Sequence, residues 1–231
     1  MKMSSYEIIE GVVEDLNIFD ADVNYLANAE RNSRTASIVS TLQAAVGSPG
    51  AVHSAQAANS SGDPVEGFSM RVGGLKVEGS FWKVTFKNGD FIKVIGLKSG
   101  SIFNAIAVVI PENRTIWMQP HCERGVSAQR RYIFRNSVIF VAVIFAISSF
   151  LFTLPNMQLW FYLLGASISS AVILIATVGM SWGDFMFFAN WMTGVASALK
   201  MDFPENVNLT KSTKARIKSG SPELPMGVYY Y

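Results

Sequence analysis

Hydrophobic and polar positions alternate along the first half of this chain and then give way to a long run with no charge at all. Residues 6–19 (YEIIEGVVEDLNIF) are rich in Ile and Val and read as a strand. Ile38, Leu42 and Val46 recur at i, i+4 and i+8, which predicts a helix over 21–46. Residues 47–67 (GSPGAVHSAQAANSSGDPVEG) are small, polar and punctuated by Gly and Pro, the composition of a mobile loop. Residues 69–119 then read as consecutive β-branched and aromatic strands. Asn88–Gly89 is the strongest turn signal, because a two-residue primed turn needs positive φ at both central positions. Val84 and Phe86 on one side, with Phe91, Lys93 and Ile95 on the other, would flank it as a hairpin, and Pro111–Glu112–Asn113 supplies a further turn. Five or so short antiparallel strands suit a small β-barrel of the SH3-like or OB-like kind. Residues 21–67 would be a helical and loop insertion in a domain spanning 1–127.

The second half has a different character. Residues 137–154 (SVIFVAVIFAISSFLFTL) and 159–180 (LWFYLLGASISSAVILIATVGM) lack the charged face of a helix packed in a soluble protein. Twelve strongly apolar side chains in the first segment contribute about −5 kcal/mol to membrane insertion before polar costs. Pro155 and Asn156 force a turn between the segments, so 132–182 is expected to be a transmembrane helical hairpin. Residues 184–200 start on an acidic residue and place Phe185, Phe188, Met192, Val195 and Leu199 at helical spacing. They are expected to form an amphipathic helix lying in the membrane interface. Residues 201–231 are expected to be a flexible cytoplasmic tail. The fold class is therefore an α+β membrane protein.

Charge sets the orientation. Only 16% of the chain is charged, against roughly 25% in average soluble domains, and positions 136–183 hold no Asp, Glu, Lys or Arg. Arg124, Arg130, Arg131 and Arg135 precede the first apolar segment, and lysines follow the second, so the positive-inside rule places both termini in the cytoplasm. Trp160 and Trp182 suit the two interfacial belts. Gly165, Ala166, Ser169 and Ser170 form small-xxx-small pairs, which let helices approach closely in lipid, within this hairpin, in a homo-oligomer or against another membrane protein. A formal charge of +2 without a dense basic stripe argues against nucleic acid as a partner.

Candidate chemistry is sparse. His53 and His121 are the two histidines and Cys122 the single cysteine, so no tetrahedral metal site can be assembled from these residue types alone. The adjacent His121–Cys122 pair in PHCERG is poor geometry for a Cys–His nucleophile, whose members converge from separate elements. That motif is better read as shaping the exit from the barrel into the membrane helix, with Arg124 at headgroup level. Gly73–Gly74 lacks the lysine and hydroxyl of a phosphate loop. No catalytic residue, cofactor site or metal site is expected, and the chain is not expected to be an enzyme.

VEGSFWKVTFKNGDFIKVIG, then AIAVVIPENRTIWMQPHCERG and a membrane hairpin, resembles small bacterial membrane proteins assigned to type VI secretion as effectors. Gly79, Phe81, Phe86, Gly89–Asp90, Ala107, Pro111, Arg114, Ile116 and residues 120–125 carry the resemblance, which covers about 65–185. It implies a role in interbacterial competition. Without an enzyme site or a pore-lining span, the expected role is an inner-membrane immunity protein whose partners are the lipid bilayer and a cognate toxin. A depolarising effector and an accessory scaffold for a secretion-system component are the alternatives. Asn88, Gly89 and Asp90, with the Gly165–Ser170 face, are the expected interaction surfaces.

Overall fold

A computed structural model describes residues 6–23, 25, 63–151 and 159–231. Among the described residues there are seven strands: β1 (Glu7–Val23), β2 (Asp63–Val72), β3 (Leu75–Phe81), β4 (Phe91–Ser99), β5 (Ile102–Ile110), β6 (Thr115–Met118) and β7 (Val228–Tyr230). The helices α1 (Val126–Leu151), α2 (Leu159–Ala198) and α3 (Leu209–Lys218) accompany them, with a 3-10 turn at Pro204–Asn206.

Strand β1 is the backbone of the barrel. Its seventeen residues serve two neighbours, pairing with β4 from Glu7 to Val12 and with β2 from Val13 to Val23. The handover falls at a bulge between Glu14 and Asn17, where Asp15 takes φ of 52° and the strand bends. Strands β2 and β3 form a hairpin, β4 and β5 another, and a parallel β3–β5 pairing at Lys76–Glu78 closes the five strands into a barrel. Strands β6 and β7 extend the sheet beyond β5.

The primed turn lies elsewhere than the sequence suggests. Gly73 and Gly74, joining β2 to β3, both have positive φ (58° and 80°), as a two-residue hairpin of that kind demands. Asn88–Gly89 does not make a hairpin. Residues 83–87 form no strand, and within this turn only Gly89 has positive φ. Instead, Val84 and Phe86 are buried and close the barrel interior, Phe86 standing edge-on to Phe68, Phe81 and Trp117.

Two hydrophobic cores result. One fills the barrel with Phe68, Met70, Phe81, Ile92, Val94 and Phe103. The other lies outside the barrel wall, where Ile95, Ile106, Val109 and Met118 meet Phe188, Met192 and Val195 of α2. Strands β4 and β5 are thus covered on both faces, which explains their near-continuous apolar sequence. Ile106 is the extra residue of a bulge in β5, opposite the step from Ile95 to Gly96 in β4.

This second core corrects the expected interfacial helix at 184–200. Helix α2 runs unbroken from Leu159 to Ala198, and its last part turns Met186, Phe188, Ala189, Met192 and Val195 into the protein. Their apolar stripe is covered by barrel strands, so it is not offered to lipid. The fit is tight: a Cβ at Gly194 would collide with the ring of Tyr6.

The expected flexible tail at 201–231 is also corrected. It folds as the 3-10 turn, α3 and β7, with Leu209, Val228 and Tyr230 buried. Asn208 caps α3 by accepting from the Lys211 amide. Thr213 and Ser212 hydrogen-bond the backbone of Tyr230, which protects the outer edge of β7.

The expected insertion at 21–67 is narrower than its bounds. Residues 21–23 complete β1, 63–67 begin β2, and Tyr25 is buried. The remainder lies outside the described residues, as does the turn around Pro155. The arginines expected just before the first apolar helix lie within it, apart from Arg124, because α1 begins at Val126.

Two helical stretches, Val126–Ser149 and Leu164–Gly183, are long and apolar enough to cross a membrane. Only 11% and 0%, respectively, of their most apolar windows is buried, so they project from the barrel as a bare stalk.

Candidate functional site

The stalk meets the barrel at PHCERG, residues 120–125. His121 adopts φ of 66°, a region that L-residues seldom occupy. Its contacts hold it there: Nε2 lies 3.0 Å from Asp63 Oδ2, and the ring packs against Trp82 and Phe188. Cys122 is fully buried, and that burial pushes its thiol well above the ordinary range, so it is not a poised nucleophile. Arg124 bonds Glu123 at 2.8 Å and lies 4.0 Å over the Tyr132 ring. The C-terminal segment locks the junction, with the Gly125 amide donating to Val207 O and the Leu209 amide to Glu123 O.

A cavity of about 280 Å³ opens beside this motif, between α1 and α2. Gln129, Tyr132, Ile133, Asn136 and Ser137 supply one face of α1, their spacing being that of successive helical turns. Ser181 and Phe185 of α2 face them across the cavity. Gln129 and Ser137 are buried, and Arg124 Nε is buried without a hydrogen-bond partner.

The arginines ring the stalk base. The Arg130 guanidinium lies 5.6 Å from the Trp182 ring, Arg131 donates to Asn206, and Arg135 is exposed. Trp160, at the other end of α2, is 73% exposed. The small residues divide by face. Ala166 and Ser170 are half-buried on the side shared with Ile173, Leu174, Thr177 and Val178, whereas Gly165 and Ser169 are exposed. A Cβ at Gly165 would meet nothing within 4 Å.

Asn88, Gly89 and Asp90 complete the backbone bonding of β1. Gly89 donates to Val13 O, Val13 donates to Asp90 O, and Asn88 Oδ1 accepts from the Leu16 amide at 2.9 Å. The turn thus satisfies the backbone that the β1 bulge leaves unpaired. Asp90 also accepts from the Lys87 amide. An open groove of about 580 Å³ runs beside this turn, bordered by Lys87, Asp90, Phe91, Glu112, Thr115 and Trp117. Trp117 Nε1 and Thr115 Oγ1 are buried there with no hydrogen-bond partner. Sequence reading found the turn but missed Trp117 and Thr115, because a β-strand Trp and Thr carry no signal beyond strand propensity.

Other charged pairs are structural. Glu66 accepts from Lys83 Nζ and the Val84 amide; against the opposing effect of burial, these two donors hold its carboxyl below the usual range. Among the described residues, no three His, Cys, Asp or Glu side chains are grouped to hold a metal ion. Comparison with known proteins finds no family, no curated protein and no solved structure that matches this chain.

Proposed function

We propose that this chain is a bacterial inner-membrane binding protein without catalytic activity, and that it serves as an immunity protein against a cognate toxin of type VI secretion. One observation carries the membrane part: α2 is bare and apolar over Leu164–Gly183 and buried against the barrel from Met186 onward, with no break between them. Water would have to solvate an apolar surface far beyond the few hundred Å² that soluble monomers expose. Trp160 and Trp182 are separated by about 33 Å of helix at 1.5 Å per residue, close to a hydrocarbon thickness of about 30 Å. Arg124, Arg130, Arg131 and Arg135 gather at the barrel end, which the positive-inside rule assigns to the cytoplasm. We read the barrel as OB-like, since β1 pairs with both β2 and β4 and β3 closes in parallel on β5.

The resemblance to type VI secretion proteins supplies the biological setting, and the groove beside Asn88–Asp90 supplies a surface for the toxin. A partner carbonyl or carboxylate entering that groove would satisfy Trp117 Nε1. The experiment is protection: cells lacking the chain are challenged by toxin-bearing neighbours, and survival is restored by the wild-type gene. Trp117→Phe keeps the ring against Phe86 but removes the donor, and it is expected to fold normally while lowering protection about tenfold. Growth arrest with loss of membrane potential on expression in a naive host would instead identify a depolarising effector. Full protection by Trp117→Phe would remove the groove from the reading. Fractionation with the soluble proteins, without detergent, would overturn it altogether.

A further inference from the structure

The cavity at the stalk base is polar in a place where its surroundings are not. Just beyond it, Phe134, Val138 and Ile139 of α1 and Trp182 of α2 are exposed and apolar. The cavity itself presents Glu123, Arg124, Gln129, Asn136 and Ser137. Gln129 is 5% exposed and Ser137 7%, so the polar wall that they form in the lining is largely withdrawn from solvent. Arg124 Nε, in the same lining, is buried and has no hydrogen-bond partner. Leaving that donor unsatisfied costs about 1–3 kcal/mol, so an occupant that bonds it is favoured. At about 280 Å³ the space falls just under the roughly 300–1,000 Å³ of sites for drug-sized ligands, which suits a smaller group.

The charges define the occupant further. Arg124 offers guanidinium donors, Glu123 offers a carboxylate beside it, and the pair is neutral in sum. A purely anionic ligand would meet Glu123 unfavourably, and a purely cationic one would meet Arg124. A zwitterion fits both. We propose that this cavity binds the headgroup of a phospholipid bearing a phosphodiester and a primary ammonium. Arg124 and the Gln129 amide donate to the phosphodiester, Glu123 and the Asn136 and Ser137 oxygens accept from the ammonium, and the acyl chains lie on the apolar faces of α1 and α2. The proposal rests on the membrane reading above, because only a chain seated in the bilayer brings the cavity to headgroup depth. It makes the lipid a fixed part of the joint between stalk and barrel.

The test uses the full chain in nanodiscs of equal parts phosphatidylethanolamine, phosphatidylglycerol and phosphatidylcholine, transferred to mild detergent and analysed by native mass spectrometry. One phosphatidylethanolamine is expected to stay with each chain, favoured about tenfold over phosphatidylglycerol, the factor that one charged hydrogen bond supplies. Gln129→Leu and Ser137→Leu, which replace the polar wall by an apolar one, are each expected to lose that lipid. Their far-ultraviolet circular dichroism should remain unchanged. Inorganic phosphate and free phosphoethanolamine, added to the lipid-bound chain, are expected to leave the lipid in place. Equal retention of the three lipids, preference for phosphatidylglycerol, no retained lipid, or undiminished retention in both leucine variants would each overturn the proposal. Displacement by inorganic phosphate would make the cavity a free-anion site and overturn it too. An integral chain without bound lipid sinks this proposal alone, whereas a chain that never enters the membrane fraction sinks the reading beneath it.

Discussion

At the residue scale, the barrel depends on small devices that answer particular backbone needs. Asn88 is exposed, yet its side-chain oxygen is the acceptor for Leu16 N–H at the point where β1 bends. Asn88→Ala is expected to lower stability by about 1 kcal/mol, the net worth of such a hydrogen bond, with Asn88→Asp losing less because an acceptor remains. Thermal melting of the detergent-solubilised chain checks this. An unchanged midpoint in Asn88→Ala would show that water replaces the side chain without cost. The same turn illustrates how far local sequence carries. Asn-Gly correctly marks a turn, but its partner is a bulge in a strand some seventy positions away, and no dipeptide encodes that. Gly73–Gly74 had the composition for a primed turn and was the better hairpin signal, because strands of matching apolar pattern flank it on both sides.

At the scale of elements, α2 decides the architecture. Phe188 is 1% exposed and packs against His121 and Trp191, so Phe188→Ala should cost about 3–5 kcal/mol in barrel stability. Denaturant unfolding followed by the fluorescence of the buried Trp117 reads this out. If residues 184–200 lay in a lipid interface instead, the barrel transition would not move. The amphipathic spacing of Phe188, Met192 and Val195 was legible, since helical periodicity is a local property. What covers that stripe was not legible: lipid and a barrel wall select the same apolar residues. The C-terminal elements were hidden for another reason. Helix α3 reads LTKSTKARIK, with Leu209 its one buried residue, and β7 has three residues, so neither offers enough periods to rise above a polar tail. Both become visible through their contacts, with Asn208, Ser212 and Thr213 joining them to the junction and the sheet.

At the scale of the whole molecule, the second core gathers several acids that must keep their protons. Cys122 and Tyr25 are buried and Tyr6 and Tyr229 half-buried, and desolvation, the largest cause in each case, raises every one of them above its ordinary value. Tyr6 belongs to the barrel's first residues, Tyr25 follows β1, Cys122 lies in the exit motif, and Tyr229 is in β7. Together they span the seam where barrel, α2 and the C-terminal segment meet. An acid whose folded pKa is raised binds its proton more tightly in the folded state than in the unfolded one. The stability it contributes is therefore complete below its unfolded pKa, near 8.5 for cysteine and 10 for tyrosine, and is lost as pH rises above that value. Melting temperature should hold steady toward neutral pH and fall progressively above about pH 8.5, steepening above about pH 10 as the tyrosines join. Cys122→Ala should delay the first part of that fall while lowering the plateau, since it removes the thiol and leaves a small void. The Ser80 hydroxyl, 2.6 Å from that of Tyr25, works against burial there without reversing it. Melts of the detergent-solubilised chain across this range give a direct answer. A profile that stays flat to pH 11 would mean that the seam opens to water before the rest of the fold, and the barrel and stalk would then be hinged at PHCERG instead of forming one rigid unit.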